Sequence, residues 1–188
     1  MKKVGILGGT FDPPHLGHLV IAEEVYHALS LDEVWFIPSQ EPPHKEKANT
    51  DAKYRVSMLE AAIENNEHFA VNSIELERSG KSYTFDTIHE LHKRYSDITF
   101  YFIIGADMVE YLPKWYKIEE LVNQIQFVGV KRTAFKLETE YPVVEVNIPT
   151  IEISSTMIRK RIKDKGSIKY LVPDQVNQVI KEYRLYES

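Results

Sequence analysis

Two histidines, three residues apart, lie shortly after a pair of glycines at the end of an apolar segment. The stretch runs from Gly8 to His18 and reads GGTFDPPHLGH. Glycine lets the backbone approach a ligand closely, and the free N–H groups at the start of a helix favour an anion. If a helix has begun here, His15 and His18 share one face and could both reach one phosphate group. The pattern predicts a phosphate-binding turn; the simpler alternative is a glycine turn with two surface histidines.

The same stretch offers a second chemistry, because Asp12, His15 and His18 are residue types that bind transition metals. Three aliphatic residues follow His18, so no fourth ligand is close in sequence. Phosphate binding is therefore favoured, and no residue is predicted to ligate a metal.

A second anion-binding pattern lies near the other end of the chain. The segment ISSTMIR runs from Ile153 to Arg159 and places Ser154, Ser155 and Thr156 at an expected helix start. Hydroxyl groups, backbone N–H groups and the guanidinium one turn later could converge on one anion. A helix N-cap followed by a solvated arginine is the alternative for this segment taken alone.

The elements that must position these motifs alternate between short apolar runs and longer segments of helical period. This alternation predicts an α/β fold in which a doubly wound, Rossmann-like parallel sheet has flanking helices and a C-terminal helical segment, all in one domain over 1–188. We expect strands over 4–8, 33–38, 69–76, 98–104, 126–130 and 143–148. Ligands of such sheets gather at the carboxyl ends of the strands, where both histidines lie.

Apolar spacings of three and four residues predict the helices between these strands. The predicted helices lie over 16–29, 54–63, 84–95, from Ser154 or Ser155 onward, and over 173–183. The segment 41–51, with two prolines and several charges, is expected to form a long mobile loop.

Composition limits the class of protein. The chain has 188 residues, of which 43% are hydrophobic, and a formal net charge of -5, so one core can form and no general affinity for nucleic acid is indicated. It has no cysteine, which excludes disulfides, thiolate nucleophiles and cysteine metal sites. The apolar run after Lys3 is too short for a signal peptide or a membrane span, so we predict a cytoplasmic enzyme without a membrane partner.

The pair GGTFDPPHLGH and ISSTMIR resembles the signature of the HxGH-type nucleotidyltransferase superfamily, which is distantly related to class I aminoacyl-tRNA synthetases. Three further stretches, PPHK (42–45), SYTFDT (82–87) and IIGADMVEYLPKWY (103–116), are similar to those of bacterial nicotinate mononucleotide adenylyltransferases. The resemblance covers essentially the whole chain. It implies transfer of the adenylyl group of ATP to nicotinate mononucleotide, giving nicotinate adenine dinucleotide and pyrophosphate in NAD biosynthesis.

The resemblance also implies roles for individual residues. The catalytic ones would be His15, His18, Lys45 and Arg159. Those that bind ATP would be Gly8, Gly9, Thr10, Phe11, Gly105, Asp107, Ser155 and Thr156. In this family an aromatic residue at the position of Trp115 stacks on nicotinate, while Thr84 and the backbone near Tyr116 receive its carboxylate. A solvated loop lysine at 45 and a core tryptophan at 115 are the alternatives.

The implied reaction suits these residue types. A phosphate monoester has a second pKa of about 6, so the nucleophile is already ionised near neutral pH and no general base is needed. Alignment of two polyanions and stabilisation of the leaving pyrophosphate are needed instead. Mg²⁺ is expected on the triphosphate of ATP, held by phosphate and water rather than by a protein cage. The partners are the two small-molecule substrates, and the sequence leaves a homo-oligomer open.

Three other functions share part of this pattern. A phosphopantetheine adenylyltransferase or a cytidylyltransferase would keep the histidine and Ser/Thr/Arg motifs but change the acceptor pocket, which SYTFDT and KWY disfavour. A nucleotide-binding sensor would use the same contacts without turnover. A Rossmann dehydrogenase is disfavoured because no GxGxxG follows the first strand.

Overall fold

The centre of the protein is a six-stranded parallel sheet, seen in a computed structural model that describes residues 1–43, 48–131 and 137–188. Its strands lie in the order β3-β2-β1-β4-β5-β6. They are β1 (Lys2–Gly9), β2 (Glu33–Pro38), β3 (Phe69–Val71), β4 (Ile98–Gly105), β5 (Gln126–Lys131) and β6 (Val143–Asn147). The predicted Rossmann-like α/β fold is confirmed, because every neighbouring pair is parallel.

Helices connect the strands and cover the sheet. They are α1 (Leu16–Leu29), α2 (Ala52–Ile63), α3 (Thr84–Arg94), α4 (Ala106–Tyr111), α5 (Ile118–Leu121), α6 (Ser155–Lys163) and α7 (Asp174–Glu182). Two short 3-10 helices lie at Ile74–Glu77 and Leu112–Lys114. Within the described ranges, none of the helices is long and apolar enough to cross a bilayer.

The third strand is shorter than the sequence indicates. The prediction of a strand over 69–76 is wrong beyond Val71, because β3 ends at that residue and a 3-10 helix follows. The side chain of Asn72 accepts a hydrogen bond of 3.1 Å from the backbone N–H of Ile74, and this local bond turns the chain out of the sheet. The turn carries Glu75 to the carboxyl end of the sheet, where the candidate site lies.

Both faces of the sheet are buried, as a parallel sheet requires. On one face Val4 and Ile6 of β1 pack with Phe100 of β4, and on the other Leu7 packs with Ile103. A third apolar cluster joins α2 to α6 and α7; its buried members are Met58, Ile158, Ile168, Val172, Val176 and Ile180. This cluster brings the C-terminal helices beside the carboxyl end of β1.

Candidate active site

The turn over residues 8–18, which keeps the name phosphate-binding turn for its predicted ligand, leads from β1 into α1. His15 is the N-cap of α1, and its backbone N–H donates to Nδ1 of His18 over 3.1 Å. The two imidazole rings stack with centroids 3.7 Å apart and an angle of 26° between their planes. Because Nδ1 of His18 accepts a hydrogen bond, the proton of its neutral ring lies on Nε2, which makes that nitrogen a donor.

The first histidine of the pair is buried. Only 7% of His15 is exposed, and this burial lowers its pKa to about 4. Near pH 7 the ring is therefore neutral and can offer an N–H group to a phosphate but no positive charge. Among the residues with described positions, Nδ1 of His15 has no hydrogen-bond partner.

A cavity of about 360 Å³, here called the acceptor cavity, opens at the carboxyl ends of β1 and β4. It is lined by Gly8, Gly9, Thr10 and His18 of the turn after β1, and also by Thr84, Trp115 and Tyr116. Gly105 and Asp107 line it as well, so the structure brings nine of the residues predicted from the sequence to one cavity.

The side chain of Trp115 both packs against the core and lines the acceptor cavity. Its ring meets Phe102 and Phe127 edge-on, with centroid distances of 5.9 and 5.7 Å, so part of the indole packs against the core. The side chain is only half-buried, and it also lines the acceptor cavity. Core packing and exposure to a ligand are therefore compatible at this residue.

A second cavity of about 560 Å³, here called the nucleotide cavity, lies beside the first. It is lined by His15 and Gly17, and it shares Ile21, Gly105 and Asp107 with the acceptor cavity. Each histidine of the stacked pair therefore faces a different cavity, and the pair lies where the two cavities meet.

The late motif docks on the early one. Ser154 caps α6 by accepting a hydrogen bond of 3.1 Å from the backbone N–H of Met157. The hydroxyl of Ser155 donates to the carbonyl oxygen of Pro13 over 2.8 Å, and Nη1 of Arg159 donates to that of Asp12 over 2.8 Å. The two motifs, about 140 residues apart in sequence, are therefore in direct contact.

The late motif nevertheless contributes little to the described cavity walls. Ser155, Thr156 and Arg159 are not among the described residues that line either cavity. Thr156 is exposed, and Nη2 of Arg159 is 3.4 Å from its hydroxyl. Their predicted contact with ATP stays a prediction.

Three further predicted features have different outcomes. Lys45 lies outside the described residues, as does the middle of the predicted 41–51 loop. Phe11 is buried and packs against His18 and Phe36, so its side chain supports the turn rather than lining a described cavity. Asp107 is exposed at the start of α4 and lines both cavities.

The metal-binding alternative has no support in the described ranges. No group of three His, Asp or Glu side chains there could hold a metal ion. The carboxylate of Asp12 accepts a hydrogen bond from the hydroxyl of Tyr186 instead of joining His15 and His18.

The sequence did not indicate several charged residues near the site: Glu110 and Lys131 line the nucleotide cavity, and Glu75 and Arg55 are buried beside the turn. Glu75 lines the acceptor cavity with 8% of its surface exposed, and burial raises its pKa to about 7. Arg55 is 2% exposed on α2 and donates to the carbonyl oxygens of Thr10 and Ser39. A signal existed for the arginine: it lies three and four residues before Met58 and Leu59, on the apolar face of the helix.

Comparisons with known proteins identify relatives along the full length. The family model described as cytidylyltransferase-like matches residues 6–161. The chain is 55% identical over 189 residues to the nicotinate-nucleotide adenylyltransferase of Bacillus subtilis, with 100% of both chains covered. It is 58% identical to the probable nicotinate-nucleotide adenylyltransferase of Bacillus licheniformis, again with 100% of both covered.

A solved structure shares the fold at lower identity. The nicotinic acid mononucleotide adenylyltransferase of Plasmodium falciparum, complexed with NaAD, superimposes with a TM-score of 0.80 at 24% identity, covering 100% of this chain and 98% of the other. This likeness supports the sheet topology described above.

Proposed function

We propose that this chain, which belongs to the nicotinate-nucleotide adenylyltransferase family, transfers the adenylyl group of ATP to nicotinate mononucleotide. The products are nicotinate adenine dinucleotide and pyrophosphate, a step of NAD biosynthesis. The observation that carries the proposal is the stacked pair His15 and His18, which lies where the acceptor and nucleotide cavities meet.

The nucleophile is the 5'-phosphate of the acceptor, which attacks the α-phosphorus of ATP in line with the departing pyrophosphate. This phosphate is ionised near neutral pH, so the site needs donors and alignment rather than a base. Nε2 of His18 supplies an N–H group, and the backbone at Gly8 and Gly9 can approach the phosphates closely. His15 adds a neutral donor from the side of the nucleotide cavity.

The pyridine ring of the acceptor is assigned to the part of the acceptor cavity that Thr84, Trp115 and Tyr116 line. An indole stacks well on a planar electron-poor ring, so Trp115 is the stacking residue in this proposal. Thr84 begins α3, an 11-residue helix whose N-terminal N–H groups favour a carboxylate. The backbone near Tyr116 is the second carboxylate contact in this proposal.

The triphosphate is assigned to the nucleotide cavity and to the edge formed by α6. Gly105 and Asp107 lie against the nucleoside part, while Ser155, Thr156, Arg159 and Lys45 contact the phosphate tail. Mg²⁺ neutralises charge on the triphosphate when bound. In this proposal the ion is held by phosphate and water, which Mg²⁺ prefers to a full set of protein ligands.

A panel of acceptors with Mg²⁺ and either ATP or CTP, followed by pyrophosphate release, tests the proposal. We expect far higher kcat/KM with nicotinate mononucleotide than with nicotinamide mononucleotide, phosphopantetheine or no acceptor. Preference for phosphopantetheine or for CTP would assign the chain to a sister activity, and preference for the amide would change the acceptor. Binding of ATP without pyrophosphate release from any acceptor would indicate a sensor.

The place of the enzyme in the cell is also a proposal. Synthesis of a soluble dinucleotide from ATP and the absence of cysteine both support the cytoplasm.

A further inference from the structure

We propose that the C-terminal tail is a positioning element of the phosphate-binding turn, in which Tyr186 acts through the buried carboxylate of Asp12 to hold His15 and His18 in place. The inference rests on the proposed function for its kinetic readout. It joins Asp12, which belongs to the early motif, to Tyr186, which belongs to none of the motifs in the sequence.

The contact itself is short and buried. The hydroxyl of Tyr186 donates to Oδ1 of Asp12 over 2.5 Å, and only 4% of Asp12 is exposed. Burial and the neighbouring carboxylate both raise the pKa of Tyr186, so its hydroxyl keeps its proton throughout the neutral range. A buried carboxylate needs such donors, because an unsatisfied charge is costly inside a protein.

Asp12 is held from two other directions. Its backbone carbonyl accepts a hydrogen bond from Arg159 on α6, while its charge interacts favourably with the guanidinium of Arg55 on α2. Nη1 of Arg55 also donates to the carbonyl oxygen of Thr10, over 2.9 Å. Helices α2 and α6 and the tail therefore meet at the residues that precede His15.

These contacts act on the turn and not on a ligand. Asp12, Arg55 and Tyr186 are absent from the described linings of both cavities. They surround a turn in which Phe11 has a φ of 51°, a left-handed conformation that is uncommon for non-glycine residues. The orientation of the histidine rings follows from the backbone of this turn, so Tyr186 is a positioning residue.

Tyr186→Phe removes the hydroxyl alone, and Tyr183→Phe is its matched control. Tyr183 lies three residues earlier, is 46% exposed and packs against Tyr54. We expect Tyr186→Phe to lower kcat roughly ten- to a hundredfold, because small displacements of reacting groups have effects of this size. The KM for nicotinate mononucleotide is expected to stay within about twofold, since the pyridine end of the cavity belongs to other elements. Tyr183→Phe is expected to match the wild type.

A second measurement does not depend on activity. The imidazole NMR signals of His15 and His18 should shift in Tyr186→Phe and stay in place in Tyr183→Phe. If the wild type failed to turn over nicotinate mononucleotide, the proposed function would fail, while these spectra would still test the positioning.

A double-mutant cycle with Asp12→Asn assigns the effect to one contact. If Tyr186 acts through Asp12, the double variant loses no more kcat than the more severe single variant. Additive losses would overturn the proposal. So would unchanged kcat and spectra in Tyr186→Phe, or a lower midpoint of thermal unfolding with normal kinetics at 25 °C, since either result would leave the tail a purely structural role.

Discussion

The two histidines of the phosphate-binding turn have different surroundings, although their rings stack on each other. His15 is the buried N-cap of α1 with a pKa lowered to about 4, whereas His18 is only partly buried and lines the acceptor cavity. The neutral ring of His15 can stack on His18 without the repulsion that two charged rings would bring. In the proposed reaction the pair therefore acts by hydrogen bonding at fixed positions.

The loss of His18 should affect turnover far more than folding. His18→Ala removes a donor aimed at charge that develops in the transition state, so we expect kcat to fall by about 10²–10³. Far-UV circular dichroism should stay unchanged. His27→Ala, on the exposed side of the same helix, is the control and should leave kcat as it is. Near-normal turnover in His18→Ala would remove this histidine from the mechanism.

Trp115 allows ligand stacking to be separated from core packing. Trp115→Phe keeps an aromatic face, while Trp115→Ala removes both that face and the contacts with Phe102 and Phe127. We expect Trp115→Ala to raise the KM for nicotinate mononucleotide about tenfold or more, with a smaller rise in Trp115→Phe, because an aromatic pair contributes about 1 kcal/mol beyond its buried area. The KM for ATP should change little. Equal changes in both KM values would contradict the assignment of the ring.

Residue types in the sequence indicated most of the polar and aromatic residues that line the acceptor cavity, but not the charged residue Glu75. Glycines, histidines and an aromatic pair at strand ends are unusual enough to be noticed in a sequence. Glu75 is not unusual in this way, because it alternates with Ile74 and Leu76. Such alternation is typical of a strand whose polar side chains face solvent. Its burial follows from the turn at Asn72, which pattern reasoning did not foresee.

At the scale of elements, two adjacent serines at the start of α6 make different contacts, one within the helix and one with the phosphate-binding turn. Ser154 caps the helix, and Ser155 bonds to Pro13 of the phosphate-binding turn. The sequence predicted a cap at one of these serines, but only the structure separates their contacts. Hydroxyl groups of neighbouring residues point in different directions at a helix start, so the two can be tested independently.

The matched pair Ser154→Ala and Ser155→Ala should give opposite results. Ser154→Ala is expected to lower the free energy of unfolding by about 1 kcal/mol, the usual contribution of an N-cap, with kcat little changed. Ser155→Ala should reduce kcat severalfold with a smaller loss of stability. Urea unfolding and pyrophosphate release on both variants provide the comparison. A larger loss of kcat in Ser154→Ala would show that the contact with Pro13 is unimportant.

At the scale of the whole molecule, the site depends on pairings between distant parts of the chain. Apolar runs predicted a parallel sheet, and β1 does lie beside β4, with Leu7 opposite Ile103. No local pattern states that Tyr186 reaches Asp12, which is 174 residues away, because such contacts depend on how complete helices pack. The sequence could therefore predict the fold and single out the two motifs that meet at the candidate site, but not the network that joins them.

Two buried ionisable groups should together set the pH dependence of stability. Burial raises the pKa of Glu75 from 4.5 to about 7, so the folded state binds more protons there and stability falls as the pH rises through this range. Burial lowers the pKa of His15 from 6.5 to about 4, so stability falls as the pH drops from 6.5 towards 4. The two effects oppose each other at mildly acidic pH, and above pH 6.5 only that of Glu75 remains.

Glu75→Gln isolates this effect, because the amide keeps the size of the side chain and can still accept the hydrogen bond from Thr87. The wild type should lose stability between pH 6.5 and 8, whereas Glu75→Gln should not. The full contribution of the carboxyl group is roughly 3 kcal/mol, at 1.36 kcal/mol for each unit of pKa, but most of it is lost between pH 4.5 and 6.5, so the loss expected above pH 6.5 is about 1 kcal/mol. Urea unfolding at several pH values, with the exposed Glu64→Gln as control, measures the difference. If Glu75→Gln kept the pH slope of the wild type, another group would have to account for it, and Glu75 would be ionised in its cavity throughout the neutral range.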